Sequence, residues 1–189
     1  MDGQVARPRS VSDSDLLDAA LSLLLKGGPE SVTFAAVSAA TQLAPATLVQ
    51  RFGSKAGLLK VALVRAWDLL DAETEAAAAA TAPTSEGAVA MLVRLSADYP
   101  EGDAFADQLL LLREDLRDPE LRLRGAAWRA RLTALRAPRL ADAAGPGGDR
   151  AGEMSALWQG ALIWWAFERD GSAAKSVEAT LRDWCARLG

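Results

Sequence analysis

Residues 33–59, TFAAVSAATQLAPATLVQRFGSKAGLL, constrain the chain more than any other stretch. Thr33 is a good helix N-cap, because its hydroxyl accepts from an orphan backbone N–H in the first turn. Phe34, Val37 and Ala40 recur at i, i+3 and i+6, which predicts one helical stripe. Pro45 suits the first turn of a second helix, where its missing N–H costs nothing. Leu48 and Phe52, four apart, share that helix's buried face. Gly53 ends it and Ser54 caps the next. Two short helices around a tight turn, braced by a third, form a helix-turn-helix, a shape that lays one helix in the DNA major groove.

The pattern extends upstream through LLDAALSLLLKGGPESVT, residues 16–33, and downstream through PATLVQRFGSKAGLL, residues 45–59. Over about the first third of the chain it resembles the DNA-binding domain of TetR-family transcriptional regulators. The chain departs from that family at the turn, where Gln42, Leu43 and Ala44 replace the usual glycine, small apolar residue and serine cap. Val49 replaces the usual tyrosine and Arg51 the usual histidine. One aromatic hydroxyl for phosphate and one cap are therefore missing. The resemblance implies that Thr47, Arg51 and Lys55 contact phosphates, with Thr33 adding a further contact. It places Pro45, Ala46 and Gln50 nearest the base edges. Of these only Gln50 can make a bidentate contact, for which adenine is the usual partner.

A net charge of −4 argues against a nucleic-acid binder, and its distribution softens that argument modestly. Residues 1–60 sum to +1, leaving −5 on the remainder. Asp13, Asp15 and Asp18 gather at the start of the first helix, where the macrodipole favours them, while Arg51 and Lys55 fall on the proposed DNA face. Arg7 and Arg9 read either as a solvated tail or as an arm reaching the minor groove. The chain has no histidine, which removes the commonest acid–base and metal-binding side chain. A single cysteine, Cys185, allows no intrachain disulfide and fits a reducing cytoplasm. No signal peptide and no membrane span are expected.

The first helix is expected to start at Ser12, with Asp15 at N3, and to end at Gly27-Gly28-Pro29. A long helix over residues 54–80 follows, with Leu58, Leu59, Ala62 and Leu63 toward the head and Trp67, Leu70 and Thr74 farther along. Thr81-Ala82-Pro83-Thr84 breaks the pattern. Helices are then expected over 85–99, 103–116 and from 118 to just before Pro138. The arginines of the last, at 122, 124, 129, 131 and 136, are expected to form a solvated side with their stems on apolar neighbours. AAGPGG at 143–148 reads as a flexible loop. Residues 154–167 are apolar almost all round, so this helix must be buried on more than one side. Val177, Leu181, Trp184 and Leu188 stripe the final helix. The expected fold is all-α, about nine helices, with a head at 1–60 and a helical body at 61–189.

Two antiparallel terminal helices predict a four-helix homodimer seam, with Trp158, Ala161, Trp165, Leu181 and Trp184 as its candidates; a purely intrachain core is the alternative. The resemblance also implies dimerisation through these helices and a ligand pocket beneath the head. Trp67, Met91, Phe105, Leu109, Leu112, Trp128 and Trp164 either fill a core or line such a pocket, with Gln108 and Arg113 as polar anchors. No catalytic constellation emerges: Glu114 and Asp115 are adjacent and point apart, and Cys185 sits in an apolar setting. The chain is thus expected to be no enzyme and to need no cofactor or metal. It reads as a repressor of a double-stranded DNA operator, released by a small apolar effector. The competing reading is an all-α ligand-binding or scaffold dimer whose head has weakened or lost DNA binding.

Overall fold

The computed structural model describes residues 12–97, 99, 103–141 and 147–188, with 103 and 104 described by backbone only. The expectations for Arg7 and Arg9, for the break at 100–102 and for most of the 143–148 loop fall outside these residues. Among the described residues there are nine α-helices and no strand. The helices are α1 (Asp13–Ser31), α2 (Phe34–Thr41), α3 (Pro45–Phe52), α4 (Lys55–Ala79), α5 (Ser85–Leu95), α6 (Asp103–Arg117), α7 (Pro119–Arg136), α8 (Gly148–Glu168) and α9 (Ala173–Ala186). A single 3-10 turn, Ala137–Arg139, follows α7. The chain divides into two compact units, Met1–Ala66 and Trp67–Gly189, and α4 belongs in part to each.

In the first unit local chemistry sets each helix end. Ser12 and Asp15 close a full capping box: the Asp15 N–H donates to Ser12 Oγ at 3.1 Å and the Ser12 N–H to Asp15 Oδ2 at 3.2 Å. Regular helix fails at Gly27 and Gly28, the latter at φ +66°, and one more turn carries the chain to Ser31. Thr33 caps α2, accepting from the Ala36 N–H at 3.1 Å. Val37 is fully buried, but Phe34 is half-buried and Ala40 exposed, so the expected stripe is only partly inward. Each i+3 step drifts about 60° round a 3.6-residue helix, so the third member has left the face.

The turn after α2 passes through Gln42 at φ +59°, a left-handed conformation in a residue with a Cβ. Ser38 braces it, taking the Gln42 N–H on its carbonyl and donating its hydroxyl to the Leu43 carbonyl, both at 2.7 Å. α3 then starts without a side-chain cap at Ala44, with Pro45 at its first turn. Leu48 is fully buried and Phe52 half-buried. Gly53 ends the helix at φ +70°, and Ser54 Oγ accepts from the Gly57 N–H at 3.1 Å to open α4. Leu58, Ala62 and Leu63 are buried.

In the second unit α5, α7, α8 and α9 enclose the main core, built around Met91, Leu92, Leu132, Met154, Trp158, Trp165, Val177 and Leu181. α5 stops at Leu95, short of the expected residue 99. Ser96 is the C-cap, its N–H turned to the Val93 carbonyl at 3.0 Å, and its buried hydroxyl donates to the Leu92 carbonyl and accepts the Trp158 indole N–H, both at 2.8 Å. Trp158, Ala161, Trp165, Leu181 and Trp184 all lie in this unit's own core, between 0 % and 8 % exposed. The apolar residues that α8 turns outward are instead Ile163, Trp164 and Phe167; Trp164 and Phe167 are 65 % and 76 % exposed.

The arginine-rich α7 departs from the expected solvated side at one position. Arg124 meets Asp68 at 2.6 Å and Asp71 at 2.8 Å, and Arg131 meets Glu75 at 2.5 Å, so acids on α4 hold two of the set. Arg136 is fully buried. Its Nε and Nη2 donate to the Leu132 and Ala151 carbonyls at 3.1 and 3.2 Å, and Nη2 also reaches Ser155 Oγ. No carboxylate joins these partners, and Nη1 has none. Burial pushes its pKa down to about 10, so the guanidinium remains charged at neutral pH.

Candidate functional site

The helix-turn-helix presents α3 outward. Pro45, Ala46, Gln50, Arg51 and Lys55 are exposed, Thr47 and Thr33 half-buried, and Leu48 anchors the helix from beneath. Val49, where an aromatic hydroxyl is usual, is 45 % exposed and offers no polar group. The two expected phosphate cations are engaged within the head: Arg51 Nη1 pairs with Asp13 Oδ1 at 2.7 Å and Lys55 Nζ with Glu30 Oε2 at 2.6 Å. The Lys55 ammonium holds the Glu30 carboxyl below its usual range. Sequence reading missed both acids, because 38 residues separate the first pair and 25 the second. Thr33 Oγ1 accepts the cap bond and retains its own hydrogen for a further acceptor.

The second unit holds a cavity of about 550 Å³ between residues of α4, α6, α7 and α8. Trp67, Trp128 and Trp158 form a continuous aromatic run along it, with centroids 5.9 Å apart for the first pair and 6.1 Å for the second. Leu112, Leu116, Leu121 and Leu132 supply aliphatic wall, and Asp115, Arg122, Arg129, Ser155 and Gln159 the polar groups. Gly125 gives Trp67 its place: a Cβ there would stand 3.3 Å from the indole.

Of the nine expected pocket residues, Trp67, Leu112 and Trp128 line this cavity. Met91 is fully buried in the core, and Phe105 is buried edge-on against Trp165 with centroids 5.6 Å apart. Gln108 is half-buried and Leu109 exposed, and neither lines it. Arg113 is exposed and pairs with Glu114 at 2.5 Å. Trp164 points outward. Trp158, Asp115, Ser155 and Gln159 were missed, although Leu112, Asp115 and Leu116 share one face at i, i+3 and i+4, as do Leu121, Gly125, Trp128 and Leu132.

All three indole N–H groups are tied to protein acceptors. Trp67 donates to Asp115 Oδ1 at 3.1 Å, Trp128 to Thr74 Oγ1 at 3.0 Å and Trp158 to Ser96 Oγ at 2.8 Å. Ring orientations are thereby fixed, and the cavity offers π-surface rather than indole donors. Burial pushes the Asp115 carboxyl above its usual range, with the Trp67 N–H opposing and the Glu114 charge reinforcing. A second cleft, about 640 Å³, lies between α5 and α9 and carries mixed charge at Arg94, Glu178 and Arg182. Cys185 borders it, its thiol pushed up by burial and so disfavoured as a thiolate nucleophile. Among the described residues no three His, Cys, Asp or Glu side chains gather to hold a metal ion, and no helix is long and apolar enough to cross a membrane.

Comparison with known proteins fits both halves of this picture. Residues 16–62 match the family model described as bacterial regulatory proteins, tetR family. Among curated proteins none matches the chain. A putative transcriptional regulator from Saccharomonospora viridis, solved in complex with choline, superposes with a TM-score of 0.66 at 21 % identity, over 89 % of this chain and 92 % of that one. The multidrug binding protein EbrR, complexed with proflavin, gives 0.64 at 18 % identity, over 89 % and 96 %. A TetR-like transcriptional regulator from Rhodococcus sp. RHA1 gives 0.63 at 19 % identity, over 95 % and 98 %. At these identities the likeness shows the fold, and the head supplies the sequence match. The head, residues 16–62, thus matches the tetR-family model, and along its length the chain shares the fold of these solved proteins.

Proposed function

We propose that the protein is a ligand-responsive repressor that binds operator DNA as a homodimer and is released when a small molecule enters the aromatic cavity. The observation that carries this reading is the pairing, in one chain, of an outward recognition helix with a drug-sized cavity whose walls are three oriented indoles. Base reading falls to Gln50, with Pro45 and Ala46 against the edges; Thr47, Arg51, Lys55 and Thr33 take phosphates. The likeness to structures solved with choline and with proflavin supports a ligand-holding body. α4 supplies Leu58 and Ala62 to one unit and Trp67 to the other, so a ligand that moves Trp67 acts on a helix shared with the head.

Two-fold DNA half-sites require two heads. The dimer surface is assigned to the outward side of α8, where Ile163, Trp164 and Phe167 form an apolar patch; the Trp164 and Phe167 rings meet at a tilt, centroids 5.8 Å apart. Gly160, in the same outward register, meets no atom within 4 Å of where a Cβ would stand.

Selection of bound sequences from a random DNA pool tests the reading: it should return a two-fold symmetric site. The effector and the operator must then weaken each other's binding by the same factor. The scaffold reading draws on the ion-paired Arg51 and Lys55 and the uncapped α3. It would prevail if DNA retention did not fall steeply with salt, as phosphate neutralisation demands.

A further inference from the structure

We infer that the cavity takes an organic cation, held against the indoles of Trp67, Trp128 and Trp158 with the Asp115 carboxylate as its counter-charge. The inference rests on the ligand-binding reading above and narrows it from an apolar effector to a positively charged one.

Among the described residues Asp115 is the only acid bordering the cavity. One oxygen, Oδ1, accepts the Trp67 indole N–H at 3.1 Å. That bond aims the carboxylate along the aromatic wall. Among the described residues no Lys or Arg pairs with this carboxylate, and burial beside the indoles disfavours its bare charge. An entering cation would supply the missing charge and also meet π-faces, which attract positive charge. An anion would find little. The three indole N–H groups already donate within the protein. Nη1 of Arg122 is held on the Leu116 and Arg117 carbonyls at 2.9 and 3.3 Å. Arg129 is exposed, where water screens it. The charge that acts on Asp115 is that of Glu114, which adds to the negative field. The volume of about 550 Å³ suits a drug-sized ligand, and its aliphatic walls favour a cation with hydrocarbon or aromatic bulk.

Calorimetric titration of the full chain with benzyltrimethylammonium, its neutral isostere neopentylbenzene and the anion phenylacetate tests this. The cation should bind at least about tenfold more tightly than either. Asp115→Asn keeps an acceptor for Trp67 and removes the charge. It should cost the cation about tenfold or more and leave the neutral compound unchanged, while Asp115→Glu keeps the preference. Equal binding of cation and isostere by the wild-type chain overturns the inference and leaves the ligand-binding reading standing. So does a cation affinity that Asp115→Asn does not alter. Binding of none of the three also overturns it. Operator binding by the same preparation tests the regulator reading separately.

Discussion

Arg51 Nη1 lies 2.7 Å from Asp13 Oδ1, so a cation expected to meet a DNA phosphate is held in the free head by an acid of the first helix turn. Lys55 stands in the same relation to Glu30 at 2.6 Å. Both acids are highly exposed, at 86 % and 92 % of their side chains, and lie where a phosphate would approach their partners. Under the docking proposed above, both acids compete with DNA for these cations and should temper non-specific affinity. Asp13→Asn and Glu30→Gln should each raise affinity for random-sequence DNA several-fold, about the worth of one exposed ion pair. Lys55→Ala should weaken binding to all sequences alike and lower the salt slope by about one per head. Filter binding across a salt series reads both. Unchanged affinity in Lys55→Ala and Arg51→Ala would refute the proposed docking.

The turn into the recognition helix carries two removable defects. Gln42 is left-handed at φ +59°, and Ala44 offers α3 no cap. Gln42→Gly should stabilise the head by about 1 kcal/mol, the strain relieved less the entropy of a freer chain. Ala44→Ser should add about 1 kcal/mol through a hydroxyl reaching the free N–H groups. Chemical denaturation would detect either gain, and a loss in both would mean the turn geometry is misread.

Trp164→Glu should yield monomers, since association would bury an unpaired carboxylate at the centre of the outward α8 patch. Helical content should survive, because Trp164 is 65 % exposed and outside the core. Sedimentation decides: a monomeric wild type at micromolar concentration, or an unaltered dimer in the variant, defeats the assignment.

Arg136 is a buried cation with no acid partner and one idle nitrogen. Its folded pKa, lowered to about 10, makes its contribution to stability fall away below that pH, so the full cost is borne at neutrality. Arg136→Met should therefore keep stability or raise it by ~1–3 kcal/mol at neutral pH. The gap should be full at neutral pH and narrow only above about pH 10, where the folded guanidinium loses its proton before the unfolded one does. Melting temperatures at both pH values test this; a strongly destabilised variant at neutral pH would show that the guanidinium has a partner of opposite charge.

Local chemistry was legible and assembly was not. The capping box at Ser12, the caps at Thr33 and Ser54, the proline at α3 and the glycine at its end are one-turn matters, and each stands where the residues predict. Periodicity shows that a face is apolar without saying what covers it. Trp158 and Trp165 were therefore assigned to a partner chain when their own unit buries them, while Trp164 between them was assigned inward and points out. The cavity suffered likewise. Asp115 meets Trp67 across 48 residues, and as half of an adjacent acidic pair it had no sequence mark beyond sharing a face with Leu112.

The hydrogen-bonded indoles give this protein a built-in optical reporter. Three of its six tryptophans line one cavity, and their N–H partners hold them in defined dipolar surroundings. A guest among them must alter their emission colour and lifetime together. Trp164 stands apart in water, and its spectrum answers instead to whatever shields α8. With Trp164→Phe as the blank, occupancy and self-association become separate channels of unlabelled fluorescence, read from one sample without a dye.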